Sequence, residues 1–553
     1  MFDAEVEVAP VRAREAWWVA ALTVLALGLR AWQLQHAGLS QFDEGVYAFS
    51  GLGLSDPTQP HRLFPDQEKF SPPVYFSLVA LSFLVFGAAD RSAILVNVLL
   101  GTATVPAVWW IARRWVGAPA ALAAALMLAT RGGHILLSRS ALTDVTFALV
   151  FLIALGVVAV ALDRADRTSG VLAGLAVGLA WNTKYHGWFA LVIAVLAIGA
   201  KWRIERQSLD SLKPVIRTWI VMSVVAAACY LPWTVFVNSQ PGGSAGWASY
   251  FATMLRIDWF GGLASYSRQF WLLEGPWSRS SIALAIVIAG LWRARAAQGG
   301  VSPRLLVLGL VGALLGSEGT AVVLAVLAVV RRLRSRTPIA YGVWCMIALV
   351  ALWVVMAPLY QPYFRLMVPF SIATFILAGD ELAYRLRGPA EPRPLLAMGV
   401  LGAAVSIAIL IPRHTQWWRD NRSLAMVAAG VDRSIPAGAP IAVIGEPPLA
   451  FYLHLLGHAA FDRVTLKELD GGAVPVYVIA GRYAQAARSL RDGLRERASV
   501  LDTLGRFPMV PSDLRLLDDY GPFRAPAYRA HPDSSYDLVL FRYDPARRVV
   551  DRR

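Results

Sequence analysis

Long apolar runs follow one another along most of the chain, from Ala16 to about Ile411. Most approach the roughly 17 to 25 residues that an α-helix needs to cross the hydrocarbon core of a bilayer. Their hydrophobicity does not alternate from residue to residue, as it does in the strands of a membrane barrel. The pattern therefore predicts a polytopic α-helical membrane protein.

We expect about 13 membrane-spanning helices from the number of these runs. The predicted spans lie near residues 16–35, 92–112, 118–137, 145–162, 169–183, 187–201, 217–237, 280–296, 304–316, 319–332, 338–357, 366–384 and 394–412. Gly316 and Gly319 divide the region 304–332, so a single bent helix is the alternative there.

Clusters of Lys and Arg between the runs predict which loops face the cytoplasm. They place the N-terminus inside and the C-terminus outside, provided that the apolar segment Pro72–Gly87 lies along the outer interface and does not cross. The Pro72-Pro73 start and the interfacial aromatic residues suit that placement. Residues 38–90 then form an outer juxtamembrane segment, and residues 238–279, rich in Trp and Tyr, form an outer loop.

The composition changes at about Arg413, where Pro, Asp and Arg become frequent. Short β-type runs occur at 440–444, 474–480 and 536–543, and helical periodicity occurs at 484–497. We expect two domains: a transmembrane domain over residues 1–412 and a small soluble α/β domain over residues 413–553, on the outer face.

Composition supports the membrane assignment and excludes other classes. Of the 553 residues, 57% are hydrophobic and 16% are charged, and the mean hydropathy is +0.51. The net charge of +15 could suggest nucleic acid, but the basic residues form short clusters between apolar runs, so we expect no nucleic-acid partner. Phosphate-binding and dinucleotide motifs are absent from the contexts they require, which argues against a nucleotide cofactor.

Three acidic residues fall on the predicted outer face, each at the end of a span: Asp43, Glu44 and Asp144. Acids at the membrane edge are candidates for a functional site. Convergent carboxylates can remove a proton from a hydroxyl or hold a divalent metal. The alternative for Asp43 is that its carboxylate only caps a helix.

Basic residues are predicted on the same face, and such a set suits a phosphate. They are Lys69, Arg139, Lys184, Arg268 and Arg365. For each one alone, a cation that extends to the lipid headgroups is an equally good interpretation. A metal site formed by His134, His186 and His61 is less favoured, because these residues lack a shared ligand spacing.

Five short motifs, taken in order and on one predicted face, resemble the GT-C glycosyltransferases, in particular the protein O-mannosyltransferase and aminoarabinose (lipid A) transferase branch. The motifs are Asp43-Glu44, Ser71-Pro72-Pro73-Val74-Tyr75, Ser138-Arg139-Ser140-Ala141-Leu142-Thr143-Asp144, Asn182-Thr183-Lys184-Tyr185 and Tyr363-Phe364-Arg365-Leu366-Met367-Val368-Pro369. The resemblance covers about residues 16–384.

The resemblance implies an inverting enzyme that transfers a sugar from a polyprenyl-phosphate donor to an acceptor on the outer face. The lack of cysteine pairs and of organelle signals fits a bacterial inner membrane. Asp43 would be the general base. Arg365, Lys69 and Lys184, with Arg139, would bind the donor phosphate, and Asp144 would shape the acceptor or metal site.

One position departs from the family pattern. Family members usually have His or Lys directly before the Pro-Pro pair, whereas this chain has Ser71 there, with Lys69 as the nearest cation. Two other functions stay open from the sequence: a transporter or flippase of a lipid-linked or anionic solute, and a scaffold in envelope assembly. A transporter would be expected to show inverted repeats and broken helices, and these are not convincing here.

Overall fold

The structure of the protein is a computed structural model, and most of its described part is helical. It describes residues 11–56, 71–240, 243–252, 254–255, 257–270, 303–335, 337–360, 362–385, 422–462, 476–481, 488–509 and 537–544. The predicted spans at 280–296 and 394–412 lie outside the described residues.

Fifteen helices are described before residue 386. They are α1 (Ala13–Ala31), α2 (Phe42–Ser55), α3 (Pro73–Phe86), α4 (Asp90–Val116), α5 (Ala118–Ala129), α6 (Gly132–Ser138), α7 (Thr143–Arg164), α8 (Arg167–Thr183), α9 (Phe189–Glu205), α10 (Leu209–Ser239), α11 (Gly243–Ala252), α12 (residues 259–270), α13 (Pro303–Arg334), α14 (Tyr341–Met356) and α15 (Val368–Arg385).

Among the described residues, seven helices are long and apolar enough to cross a membrane. The number of such spans becomes eight if α5 and α6, which meet at a bend of 61°, form one span. The chain is therefore a multi-pass membrane protein. In the region 304–332 the structure has one helix, α13, which corresponds to the single-helix alternative and not to two separate spans.

The segment that we predicted to lie along the outer interface forms α3, a helix of 14 residues. At 1.5 Å per residue it is about 21 Å long, which is too short to cross a hydrocarbon core of about 30 Å. Its length supports the prediction that this segment does not span the membrane.

The chain forms two compact units, each built from segments that are not continuous in sequence. The first contains Met1–Trp32, Val98–Ser138 and Thr143–Trp417, and the second contains Gln33–Asn97, Arg139–Leu142 and Trp418–Arg553. The second unit thus joins α2 and α3 to the C-terminal region. The division into domains at residue 412 stays a prediction.

In the first unit, α8 and α10 pack closely through a row of glycines four residues apart. A Cβ atom at Gly174 would lie 2.7 Å from the carbonyl oxygen of Met222 and 2.6 Å from Val225, and one at Gly178 would lie 2.5 Å from Cys229. Small residues at this spacing let two membrane helices approach with their backbones nearly in contact. The glycines of α8 therefore set the distance to α10.

An ionic network joins the C-terminal ends of α13 and α15 in the same unit. The guanidinium of Arg332 binds both carboxylate oxygens of Asp380, at 2.7 and 2.8 Å. Arg331 bridges Asp380 and Glu381, at 2.6 and 2.8 Å. Because both acids are almost fully buried, paired arginines are needed to offset the cost of burying their charges.

In the second unit, the C-terminal region forms a five-stranded mixed sheet. Its strands are β1 (Ile441–Ile444), β2 (Ala460–Asp462), β3 (Val476–Ala480), β4 (Leu501–Phe507) and β5 (Leu538–Tyr543), in the order β2-β1-β3-β5-β4. β1 is parallel to β2 and β3, and β5 is antiparallel to β3 and β4. The described helices of this region are α16 (Ser423–Asp432), α17 (Pro447–Leu455) and α18 (Arg488–Glu496).

The predicted β-type runs at 440–444, 474–480 and 536–543 correspond to β1, β3 and β5, whereas β2 and β4 were not predicted. Alternate residues of the strands, including Ile444 and Val478, form a small apolar core with Val500 and Tyr543. The predicted helix at 484–497 corresponds to α18 within the described residues.

Helix α17 packs directly on α2, also within the second unit. A Cβ atom at Gly45 would lie 2.2 Å from the backbone nitrogen of Pro448, so only glycine permits this approach. Phe49 and Phe451 meet edge to face with ring centroids 5.5 Å apart. The hydroxyl of Tyr452 accepts a hydrogen bond from the Leu39 N–H at 2.8 Å.

We predict that Gly174→Ala lowers the thermal unfolding temperature in detergent, because the added methyl group meets the backbone of α10 and separates the helices. Overpacking of this kind costs about 1–3 kcal/mol. The matched control is Gly199→Ala in α9, where nothing lies within 4 Å of the added atom. That change should leave stability equal or slightly raised, since alanine is the better helix former. Equal unfolding temperatures for the two variants would contradict the close packing of α8 and α10.

Candidate functional site

The helix that carries the predicted acidic pair begins with a capping box. Gln41 is the N-cap, and its side-chain oxygen accepts a hydrogen bond from the Asp43 N–H at 2.7 Å. In return, Glu44 accepts one from the Gln41 N–H at 2.8 Å. This reciprocal arrangement satisfies backbone donors that the first turn of a helix leaves without partners.

Glu44 is a buried structural acceptor. Besides Gln41, its carboxylate accepts hydrogen bonds from the N–H groups of Ser40 at 2.7 Å and of Ala141 at 2.8 Å. Burial raises the pKa of this carboxyl, and the three backbone hydrogen bonds counteract part of that effect. The side chain therefore ties the start of α2 to residues 139–142, a role that sequence analysis did not predict.

Asp43 occupies the second position of α2 and is half-buried. The sequence left open that Asp43 merely caps this helix. In the structure Gln41 and Glu44 form the cap, and the backbone of Asp43, not its carboxylate, takes part in it. A carboxylate in the first turn is stabilised by the helix dipole.

Residues 139–142 are held by contacts that no sequence motif indicated. The amide of Asn97 donates to the carbonyl of Ser140 at 2.7 Å and to the hydroxyl of Tyr75 at 3.1 Å. Arg139 is 5% exposed and donates to the carbonyl of Gln33 at 3.3 Å. Burial lowers the pKa of Arg139 to about 10. The only sequence signal for Asn97 is a polar residue in an apolar span.

In the first unit, the structure brings together three other predicted residues: Asp144, Lys184 and Arg365. The ammonium of Lys184 donates to one carboxylate oxygen of Asp144, and Arg365 lies 3.9 Å from the other. The side chain of Asp144 is 2% exposed, and those of Lys184 and Arg365 are 15% and 12% exposed. Two cations and one anion give this cluster, which we call the cationic cluster, a net charge of +1.

Local structure fixes the two cations of the cationic cluster. Lys184 is the C-cap of α8, and the turn that follows folds back so that a Cβ atom at Gly187 would lie 2.3 Å from the backbone of Ala180. Arg365 lies in a short 3₁₀ turn, Phe364–Met367, whose Phe364 ring fills the space that a side chain at Gly133 would need. The position of Lys184 thus depends on a glycine three residues further along the chain, and that of Arg365 on a glycine that is distant in sequence.

The other candidate residues lie elsewhere. Lys69 and His61 lie outside the described residues. Arg268 is exposed on α12, and the Nδ1 atom of His134 accepts a hydrogen bond from the guanidinium of Arg30 at 2.9 Å. Within the described ranges, no three His, Cys, Asp or Glu side chains come together as metal ligands would.

The fold and the cationic cluster describe a membrane-embedded protein with an anion-binding arrangement, and comparison with known proteins specifies its class. The family model described as dolichyl-phosphate-mannose-protein mannosyltransferase matches residues 71–235. A search of curated protein sequences gave no match.

Solved structures share the fold at low sequence identity. The oligosaccharyltransferase AglB from Archaeoglobus fulgidus, in complex with an inhibitory peptide and a dolichol-phosphate, has a TM-score of 0.54 and 14% identity over 89% of this chain and 73% of that one. The same protein in complex with zinc and sulfate has a TM-score of 0.53 and 14% identity over 85% of this chain and 70% of that one. ArnT from Cupriavidus metallidurans bound to undecaprenyl phosphate has a TM-score of 0.46 and 16% identity over 95% of this chain and 98% of that one.

These findings confirm the resemblance that the sequence motifs indicated. The chain has the GT-C fold of these membrane enzymes, and its residues 71–235 match a family model of glycosyltransferases.

We predict that the two adjacent acids differ in their effect on stability. Glu44→Ala removes the acceptor of three backbone N–H groups, and buried donors left without partners cost about 1–3 kcal/mol each. It should therefore lower the thermal unfolding temperature clearly, whereas Asp43→Asn should change it little. Circular dichroism of both variants in detergent measures this, and similar unfolding temperatures would show that Glu44 is not the structural acid of the pair.

Proposed function

We propose that the protein is an inverting glycosyltransferase that moves a sugar from a polyprenyl-phosphate carrier to an acceptor hydroxyl of a protein, lipid or glycan. The observation that carries this proposal is the cationic cluster, in which Lys184 and Arg365 share one carboxylate, Asp144. It is supported by the fold, whose relative AglB was solved with a dolichol-phosphate.

The cationic cluster suits the phosphate of the carrier. When the bond between sugar and phosphate breaks, negative charge develops on the departing phosphate, and fixed cations stabilise it most in surroundings that exclude water. Asp144 holds the ammonium of Lys184 in place. A guanidinium carries five N–H donors in a planar fork that matches the oxygens of a phosphate, which suits Arg365 to this role.

Asp43 is proposed as the general base. Its carboxylate would take the proton from the acceptor hydroxyl as that oxygen attacks the anomeric carbon. The bond from this carbon to the phosphate oxygen breaks, polyprenyl phosphate leaves with the bonding electrons, and the configuration inverts. The sequence predicts Glu44 and Asp144 as catalytic acids beside Asp43. For Glu44 we propose that it positions α2, because its carboxylate oxygens accept hydrogen bonds from backbone N–H groups.

The sequence also suggests that Asp43, Glu44 and Asp144 could hold a divalent metal. The relative from Archaeoglobus fulgidus was solved with zinc. In this chain the carboxylate of Glu44 is already bound by three N–H groups, and the described residues bring no three metal-binding side chains together. We therefore derive no step through a metal.

We propose a protein of the bacterial inner membrane with about 13 spans, its N-terminus inside and its C-terminus outside. The active site and the C-terminal α/β region would face outward, in contact with membrane lipids and an outer-face acceptor. We also propose Lys69 and Arg139 as donor-binding residues. In the structure Arg139 donates a hydrogen bond to the carbonyl of Gln33.

We predict that Asp43→Asn abolishes sugar transfer while the protein stays folded, because an amide cannot accept the proton of the acceptor. Purified protein in lipid is incubated with radiolabelled polyprenyl-phosphate sugars, and release of polyprenyl phosphate is followed. The control is Asp210→Asn, which changes an exposed acid of α10. Wild-type release by Asp43→Asn would overturn the assignment of the base. Transport of a lipid-linked solute without release would instead support the transporter alternative.

We also predict that Arg365→Met weakens binding of undecaprenyl phosphate about 10- to 100-fold, the effect expected when one charge-assisted hydrogen bond to phosphate is lost. Lys184 still neutralises Asp144 in this variant, so the unfolding temperature should stay near that of the wild type. Arg334→Met removes an exposed arginine at the end of α13 and serves as control. Unchanged affinity in Arg365→Met would remove the phosphate role from Arg365.

A further inference from the structure

Helix α12 presents two buried polar side chains on one face. Ser265 and Gln269 are four residues apart, so they lie one above the other, and they are 2% and 0% exposed. Neither the hydroxyl of Ser265 nor the side-chain oxygen of Gln269 has a hydrogen-bond partner among the described residues. A buried polar group without a partner is costly, so these two atoms indicate a ligand or bound water.

The orientation of the Gln269 amide is determined by its neighbour. Its nitrogen donates to the carbonyl oxygen of Pro362, and a carbonyl accepts only from the NH₂ group of the amide. The oxygen of Gln269 is therefore the atom that remains to accept a hydrogen bond. Such an acceptor selects an O–H or N–H group and rejects an anion.

The same contacts fix α12 beside the segment that carries Arg365. Pro358 belongs to a short 3₁₀ turn, Ala357–Leu359, that precedes this segment. A Cβ atom at Gly262 would lie 2.1 Å from the carbonyl oxygen of Pro358, so the helix lies directly on that turn. Pro362 precedes Arg365 by three residues, a chain length of at most about 11 Å. The ring of Tyr363, between them in sequence, lies 5.3 Å from the guanidinium of Arg365.

The charge next to this face is already balanced. Arg131 lies over the ring of Phe270, at 5.5 Å from its centroid, and is paired with Glu318 at 3.1 Å. The buried polar atoms of Ser265 and Gln269 are thus a hydroxyl and an amide oxygen, which match the hydroxyl groups of a neutral sugar.

We propose that Ser265 and Gln269 bind hydroxyl groups of the sugar on the polyprenyl-phosphate donor and so contribute to its selection. This inference rests on the proposed function. In such a donor the sugar is bonded directly to the phosphate, so residues that bind the sugar must lie close to those that bind the phosphate. The attachment of Gln269 to Pro362 supplies this proximity to Arg365.

The decisive variant is Ser265→Ala, because it removes only an oxygen that has no partner among the described residues and so should not disturb the fold. The binding of two kinds of probe to the full-length protein in detergent is compared: undecaprenyl phosphate, and undecaprenyl phosphate linked to glucose, mannose or galactose. Ser267→Ala, which changes an exposed residue of the same helix, is the control.

We expect Ser265→Ala to weaken the best-bound sugar-linked probe by about 5- to 10-fold, the effect of one lost hydrogen bond, with unchanged affinity for undecaprenyl phosphate. The inference would be overturned if wild type and Ser265→Ala bound every probe with equal affinity and the variant had a raised unfolding temperature. That result would mean that only water contacts the side-chain oxygens of Ser265 and Gln269. If wild type binds neither kind of probe, the proposed function itself fails.

Discussion

The ion pair between Asp144 and Lys184 is the interaction on which the first unit depends. It joins the first turn of α7 to Lys184, the C-cap of α8, and these two helices are connected only by Ala165 and Asp166. A carboxylate in apolar surroundings is costly unless a cation pairs with it. The pair therefore fixes how the two helices align, and the glycine row of α8 then sets the position of α10.

The same physical requirement explains why the polar residues of this chain are so specifically placed. Asp380 and Glu381 are neutralised by arginines, and Arg30 lies 3.3 Å from the carbonyl of Ala129, where α5 breaks. In the apolar interior each such group needs a partner. The side-chain oxygens of Ser265 and Gln269 lack one among the described residues and lie one turn apart on the same helix, and this is why a ligand is the physical explanation that we favour.

Much of the fold could be predicted from sequence because membrane-spanning helices appear in it as long apolar runs. The predicted spans at 92–112, 145–162 and 366–384 lie within α4, α7 and the segment Phe364–Arg385. Gly316 and Gly319 suggested two spans where the structure has the single helix α13. Glycine lowers helix propensity, but a bilayer favours a continuous helix. β2, with three residues, is too short to leave a pattern.

The candidate site was predicted less completely, for a reason that Glu44 illustrates. The pair Asp43-Glu44 is visible in the sequence, but the partner that defines Glu44, the Ala141 N–H, is 97 residues away. Adjacent acids on a helix point in different directions, so one can serve the backbone while the other does not. Only the structure separates them.

The position of Asp43 also depends on residues that no motif marks. Gly45 lets α17 contact the backbone of α2, and Tyr452 on α17 links the Leu39 N–H to the carboxylate of Asp90 at 2.8 and 2.9 Å. Burial and the nearby Asp90 raise the pKa of Tyr452, so its hydroxyl keeps the proton that it donates to Asp90. The C-terminal region therefore supports the helix that carries the proposed base, and a change in that region can alter the position of Asp43 without touching it.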